Sequence, residues 1–169
     1  MKETVVNIIK NAHENSKGTV VFSSDHGGFE YKELLKEVAH DWGYNIIDCG
    51  THSLVSVDYP DYIKPVVKEV LAGAQGVMIC GSGVGMSIGA NRFKSIRGAL
   101  CCNSLMAKLA REHNNANILI LGERLIGKDE AIACLEAFLN TPFLGGRHER
   151  RIEKLDELNP EAQKTNEEL

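Results

Sequence analysis

The chain lacks any excess of positive charge. Its formal net charge is −4 at pH 7, so nothing draws it generally toward nucleic acid or an anionic membrane, and an anion site has to be local. It lacks a long apolar run as well. Residues 1–10, MKETVVNIIK, interrupt their apolar content with charge and amide, and no stretch approaches the roughly 20 residues that span a bilayer. The expectation is a cytoplasmic protein. Paired cysteine spacing is missing too: the five cysteines, at 49, 80, 101, 102 and 134, form no C-x-x-C and no zinc-type His/Cys pattern. This argues against a disulfide framework and a structural metal, and for reduced thiols, most of them in apolar surroundings.

What is present is a β-α rhythm. With 169 residues and 43% hydrophobic content, the chain can bury one good core, and the expectation is a single domain over 1–169. Short apolar runs predict strands at 19–23, 44–48, 76–80, 97–101 and 117–121. Helical periodicity fills the gaps at about 28–42, 60–72, 84–91, 104–113 and 128–139, and a charged helix follows from 146 to about 156. That alternation predicts a Rossmann-like, flavodoxin-like three-layer α/β/α sandwich around a five-stranded parallel sheet. Ahead of it, residues 1–18 read as a helical extension with Val5, Ile8, Ile9 and Ala12 on one side, and 159–169 as a frayed polar tail. With strand order 2-1-3-4-5, the crevice lies between the loops after the first and third strands.

The loop after the third strand reads CGSGVGMSIGAN, from Cys80 to Asn91. Its glycines at 81, 83, 85 and 89 give G-x-G-x-G. The third position of a dinucleotide fingerprint falls on Met86 or Ile88, and no Gly-Lys-Ser/Thr follows. Nicotinamide and nucleoside triphosphate readings both lose their support. What remains is a run of small residues whose amides can hold a phosphate or a developing oxyanion, with the Cys80 thiol at its head. That set suits removal of a proton from carbon beside a carbonyl, and Ser82 is placed to relay a proton between neighbouring oxygens. Buried strand-end packing explains Cys80 equally well on these residues alone.

Other residues converge on the same edge. Asp25-His26 follows the first strand, where the pair can bind a sugar hydroxyl and a phosphate, or Asp25 can cap the next helix. Tyr59, in Asp58-Tyr-Pro60, can offer a phenol or mark a helix-entry turn. Arg124 follows the fifth strand. Arg147 and Arg151, four apart, can grip one phosphate from one helix face, although their spacing alone reads as a solvated basic face. His113-Asn114 ends the fourth helix, where a histidine often serves only as a favourable cation. His13, His40 and His52 read as surface or packing residues.

Taken together, SDHGGFEYK at 24–32, DCGT at 48–51, DYP at 58–60, ICGSGVGMSIGAN at 79–91, REHNNAN at 111–117 and GGRHERR at 145–151 resemble the type B ribose-5-phosphate isomerases. The wider group includes galactose-6-phosphate and allose-6-phosphate isomerases. The resemblance implies interconversion of D-ribose 5-phosphate and D-ribulose 5-phosphate through a cis-enediolate. Six-carbon phosphosugars are the alternative, and a non-catalytic phosphosugar sensor a more distant one. It implies Cys80 as the base between C1 and C2, the amides of Gly81, Ser82, Gly83, Val84 and Gly85 around the enediolate oxygen, Ser82 assisting between O1 and O2, and His113 as the ring-opening acid. Asp25 would hold a ring-opening hydroxyl or ring oxygen and Tyr59 would touch the sugar. His26, Arg124, Arg147 and Arg151 would surround the phosphate, with Asn114 beside the substrate. Relatives that lack the cysteine use a glutamate a few residues on; no glutamate occurs from Val77 to Lys94 here. The resemblance implies no metal or organic cofactor. It implies a homodimer with the site at the subunit interface, with His113, Asn114 and the arginines arriving from the partner relative to Cys80, and it leaves a tetramer open. Ser82 stands where many relatives carry threonine, which keeps the hydroxyl.

Overall fold

The computed structural model describes residues 16–158. The helix expected around Val5, Ile8, Ile9 and Ala12 and the tail expected over 159–169 lie outside the described residues. Five parallel strands form one sheet: β1 (Thr19–Ser24), β2 (Asn45–Asp48), β3 (Gln75–Cys80), β4 (Gly98–Leu100) and β5 (Ile118–Gly122). Each matches its expected run to within a single residue at either end. Between and after them stand α1 (Phe29–Asp41), α2 (Ile63–Leu71), α3 (Val84–Ala90), α4 (Ser104–Asn114), α5 (Lys128–Asn140) and α6 (Glu149–Glu157). Three helices begin later than expected, because 3-10 turns at His26–Gly28, Tyr59–Tyr62 and Gly146–His148 precede α1, α2 and α6. Pro60 suits such an opening turn, where its missing N–H costs nothing.

The strand order is β2-β1-β3-β5-β4, which corrects the expected 2-1-3-4-5. β4 has only three residues, all half-buried, whereas every residue of β5 is buried. The longer, wholly apolar strand takes the interior place beside β3, and the short one takes the edge. The crevice stays where it was expected, since β1 and β3 remain neighbours.

Alternation along the strands feeds two cores. On one face Phe22, Val77, Leu119 and Leu121 pack under α1, α4 and α5, with Leu35, Leu135 and Phe138. On the other, Val21, Met78, Ile118 and Ile120 pack under α2 and α3, with Val66, Val67 and Met86. Each of the fully buried aliphatic side chains contributes about 1.5–3 kcal/mol of transfer free energy. The expected three-layer sandwich is thus observed. α6 buries none of its own residues.

α1 buries a charge as well. Lys32 is 0% exposed, and its ammonium donates to both Asp48 oxygens at 2.8 Å and to Glu33 at 2.7 Å. Lys36, one turn on, donates to Glu33 and Asp48. Burial alone pushes the Asp48 carboxyl up, but hydrogen bonds from Lys32, Lys36 and the Gly50 amide outweigh it and hold the carboxyl below the usual range. This cluster braces the end of β2 against α1. From there Gly50 O accepts from Ser24 N at 2.6 Å, which fixes the loop beside the end of β1.

Candidate active site

Register builds the site. Ser24 pairs with Ile79, so Asp25 emerges next to Cys80; Cys80 pairs with Gly122, so Arg124 emerges two residues past the same level. These carboxyl ends open into a cavity of about 370 Å³, within the size range of small-molecule sites. Asp25, His26 and Gly27 line it from β1, Tyr59 from the turn before α2, and Arg124 with Leu125 from β5. Cys80, Gly81, Ser82 and Gly85 form its floor.

The floor is held tightly. Cys80 is buried, and its Sγ accepts from the Gly83 amide at 3.0 Å. Gly83 has φ +75°, a left-handed conformation that favours glycine. A Cβ there would run into the Leu100 side chain and come within 3.0 Å of the Leu121 backbone. Ser82 Oγ accepts from Val84 N at 3.3 Å. Two of the loop amides therefore already serve the thiol and the serine. The loop is also sewn to the turn after β5: Glu123 N donates to Cys80 O and Arg124 N to Gly81 O, both at 3.0 Å. At Gly81 an added Cβ would lie 3.3 Å from the Arg124 guanidinium carbon, and at Gly85 one would come within 2.7 Å of the Tyr59 ring. These glycines let the Arg124 and Tyr59 side chains rest on the floor.

Asp25 caps the turn after β1 and also faces the cavity. One carboxylate oxygen accepts from Gly27 N at 2.9 Å and caps the 3-10 turn, while the residue lines the cavity. His26 Nδ1 accepts from Val57 N at 3.2 Å, so a neutral ring carries its hydrogen on Nε2. This bond also holds the loop that leads to Tyr59.

A second cluster forms at the end of α4. Asn115 takes φ +45° and ends the helix directly after His113 and Asn114, a conformation asparagine tolerates. Leu144 N donates to Glu112 O at 3.1 Å, tying the approaching chain to the last turn of α4. Gly145 and Gly146, with φ +64° and +59°, then turn it back. His148 lands on His113, the rings stacked with centroids 4.5 Å apart and planes 10° from parallel. Burial, then the charges of His113, Arg147 and Arg151, keep His148 below the usual histidine value. Arg147 and Arg151 are exposed beside it.

None of His113, Asn114, Arg147 and Arg151 lines the Cys80 cavity. Asn114 opens instead on a second cavity, of about 470 Å³, shared with Arg97 and Leu155. Gly83 lies beneath the floor and Val84 is half-exposed outside it. His40 and His52 are exposed, as expected, and His13 lies outside the described residues. Reading the sequence did not single out Gly27, Leu125 or His148. Gly27 sits inside the first motif, Leu125 beside Arg124, and His148 between the two arginines, so adjacency was the available signal. Among the described residues no group of three or more His, Cys, Asp or Glu side chains is placed to hold a metal ion, and no helix is long and apolar enough to cross a membrane.

Residues 20–155 match the family model described as Ribose/Galactose Isomerase. The chain is 40% identical over 140 residues to ribose-5-phosphate isomerase B of Escherichia coli, covering 80% of this chain and 93% of that protein. It resembles the crystal structure of a ribose 5-phosphate isomerase from Thermotoga maritima, with a TM-score of 0.80 and 53% identity over 82% of this chain and 97% of that one. It also resembles ribose-5-phosphate isomerase B from Mycoplasma genitalium with bound ribulose 5-phosphate, with a TM-score of 0.81 and 35% identity over 86% and 99% of the two chains.

Proposed function

The chain belongs to the ribose/galactose isomerase family, and on that premise we propose that it is an aldose–ketose isomerase interconverting D-ribose 5-phosphate and D-ribulose 5-phosphate. The observation that carries this reading is Cys80 on the floor of a cavity, with Asp25 and His26 on one side and Arg124 on the other. Cys80 removes the C2 proton of the open-chain aldose. The C–H electrons form the C1–C2 double bond and the carbonyl electrons move onto O1, giving a cis-enediolate; return of the proton to C1 yields the ketose. Ser82 moves the hydroxyl proton between O1 and O2, and Tyr59 contacts the sugar. The atoms balance with no metal or organic cofactor in the step.

Ring opening and part of the phosphate grip fall to His113, Asn114, Arg147 and Arg151, supplied by the partner of a homodimer. Two features support that assignment. These four residues stand apart from the Cys80 cavity. The chain also leaves apolar surface to cover: Val84 and Ile88 on α3 are 48% and 57% exposed, and Leu155 on the otherwise unburied α6 is 48% exposed. The chain acts as one isomerase domain, and its unpaired thiols suit the reducing cytoplasm.

A side-by-side assay of purified protein with ribose 5-phosphate, allose 6-phosphate and galactose 6-phosphate tests the substrate. The expected result is turnover of ribose 5-phosphate with the highest kcat/KM, accompanied by exchange of the C2 proton with solvent. Faster turnover of a six-carbon substrate would replace the assignment, and binding without exchange would reduce the protein to a sensor.

A further inference from the structure

Arg124 reaches the cavity from a short turn, Glu123 to Gly127, and the structure shows what fixes that turn. Arg124 and Leu125 are exposed, so burial of their own does not hold them. Tyr31, on the first turn of α1, is 7% exposed and contacts the turn at both ends. Its backbone N–H donates to Glu123 Oε2 at 3.1 Å, and its phenol donates to the Ile126 carbonyl at 2.8 Å. Between these anchors the Arg124 amide is tied to Gly81 O, and the guanidinium rests on Gly81.

We infer that Tyr31 and Glu123 form a clamp that positions Arg124 over the glycine floor and thereby sets the affinity for the phosphosugar. Neither residue lines the cavity, so both are positioning residues and act through Arg124. Glu123 fits an anchor of this kind because its main chain and side chain work in different directions. Its N–H holds Cys80 O at 3.0 Å while its carboxylate holds α1. Burial, with the charges of Glu30 and Asp25 adding to it, pushes the Glu123 carboxyl above the usual range against the opposing Tyr31 amide and Lys128. The Tyr31 amide needs only an oxygen acceptor at this position, which an amide side chain of the same length also supplies.

The clamp rests on the isomerase reading, since that reading supplies the substrate whose affinity is measured. The test is a double-mutant cycle on the full chain, with kcat and KM for ribose 5-phosphate measured in wild type, Glu123→Ala, Glu123→Gln, Tyr31→Phe, Arg124→Ala and the double variants. Glu123→Ala should raise KM about tenfold while kcat changes by less than about threefold, as for one lost hydrogen bond to a charged group. Glu123→Gln, which keeps the carbonyl acceptor, should stay within about twofold of wild type. Tyr31→Phe should raise KM by about threefold through loss of the Ile126 bond. In the Arg124→Ala background each of these changes should add less than about twofold, because the residue they serve is gone. Additive effects, or an unchanged KM in Glu123→Ala, would overturn the clamp. If Glu123→Ala does not fold, the Tyr31→Phe and Arg124→Ala cycle decides alone. If wild type does not turn over ribose 5-phosphate, the isomerase reading fails by itself, and the same cycle is read from the Kd for inorganic phosphate.

Discussion

Around Cys80 the chain is fixed by main-chain hydrogen bonds that sew one loop to another, whereas around His113 the incoming chain is tied by the Leu144 N to Glu112 O bond and by one ring stacked on another at the end of a helix. The first region has a buried floor: Cys80 is 5% exposed, and Gly83 leaves no room for a side chain. The second is open, with Arg147, Arg151 and Asn114 at the surface. A proton must be taken from carbon at a fixed distance and angle, which demands a rigid floor with a base that cannot drift. A phosphate and a ring oxygen can be met by groups that close on them, and such groups need a scaffold but no enclosure. On the proposed mechanism the two regions complete each other across a subunit boundary, so every test that separates them bears on that boundary.

The largest expected effect separates them outright. Cys80→Ala should cost about a thousandfold or more in kcat while leaving the thermal unfolding midpoint near that of wild type. His113→Ala should lose most activity as well. When the two inactive variants are mixed and their subunits exchanged, random pairing makes half the dimers mixed, and each mixed dimer carries one site with both groups intact. Activity should then return to about a quarter of wild type. No recovery after demonstrated exchange would place both regions in one chain's site and end the composite reading.

The two regions also differed in how far they could be read from sequence. Asp25, Cys80 and Arg124 each stand at or just past a strand that periodicity located, so parallel register alone brings them together. Their convergence survived an error in strand order, because β1 and β3 are neighbours either way. The order itself had a signal: ILIL in the fifth strand is continuous and apolar, as an interior strand should be, and the run at 97–101 carries an arginine and a glycine. His113 and the arginine pair offered only spacing, which fits a solvated helix equally well, and the family resemblance was what drew them out. The stack of His148 on His113 depends on Gly145 and Gly146 reversing the chain, and no periodicity encodes that reversal. Lys32 was illegible for a related reason. On an amphipathic helix a lysine reads as exposed, and the arrival of Asp48 from β2 to join Glu33 makes its burial tolerable.

That ion cluster gives the next effect, on stability, and it should touch the first region alone. Asp48→Asn leaves the buried Lys32 ammonium with only Glu33 as an anionic partner and should cost about 3 kcal/mol, or about 10 °C in the unfolding midpoint for a domain of this size. The pH dependence has a definite sign. The folded carboxyl of Asp48 lies below its ordinary value of 3.8, so its contribution is fully present above that value and is lost as pH falls through the lower folded value. Wild type should therefore lose stability in acid more steeply than Asp48→Asn, and calorimetry from pH 6 downward would show the two midpoints converging. Parallel curves would mean that the cluster contributes little. NMR signals of the His113 and His148 rings should not move in the variant, since the second region does not share this brace.

The smallest effect belongs to the open region and is read from His148 itself. Burial and the neighbouring His113, Arg147 and Arg151 charges all disfavour its imidazolium, so its ring resonance should titrate with a midpoint below 6.5, the ordinary value. A depressed folded value means that its contribution to local stability is complete above the ordinary midpoint and is lost as pH falls below it, when a further cation joins Arg147 and Arg151. An anion placed between the arginines reverses the balance, because it stabilises the imidazolium it faces. Inorganic phosphate should raise the His148 midpoint in wild type, and Arg147→Ala combined with Arg151→Ala should abolish that rise. A midpoint at or above 6.5 without phosphate would deny the crowding of positive charge, and a midpoint that ignores phosphate would deny that the cluster is a phosphate grip. Either result would leave the Cys80 region without the open partner that the composite site requires.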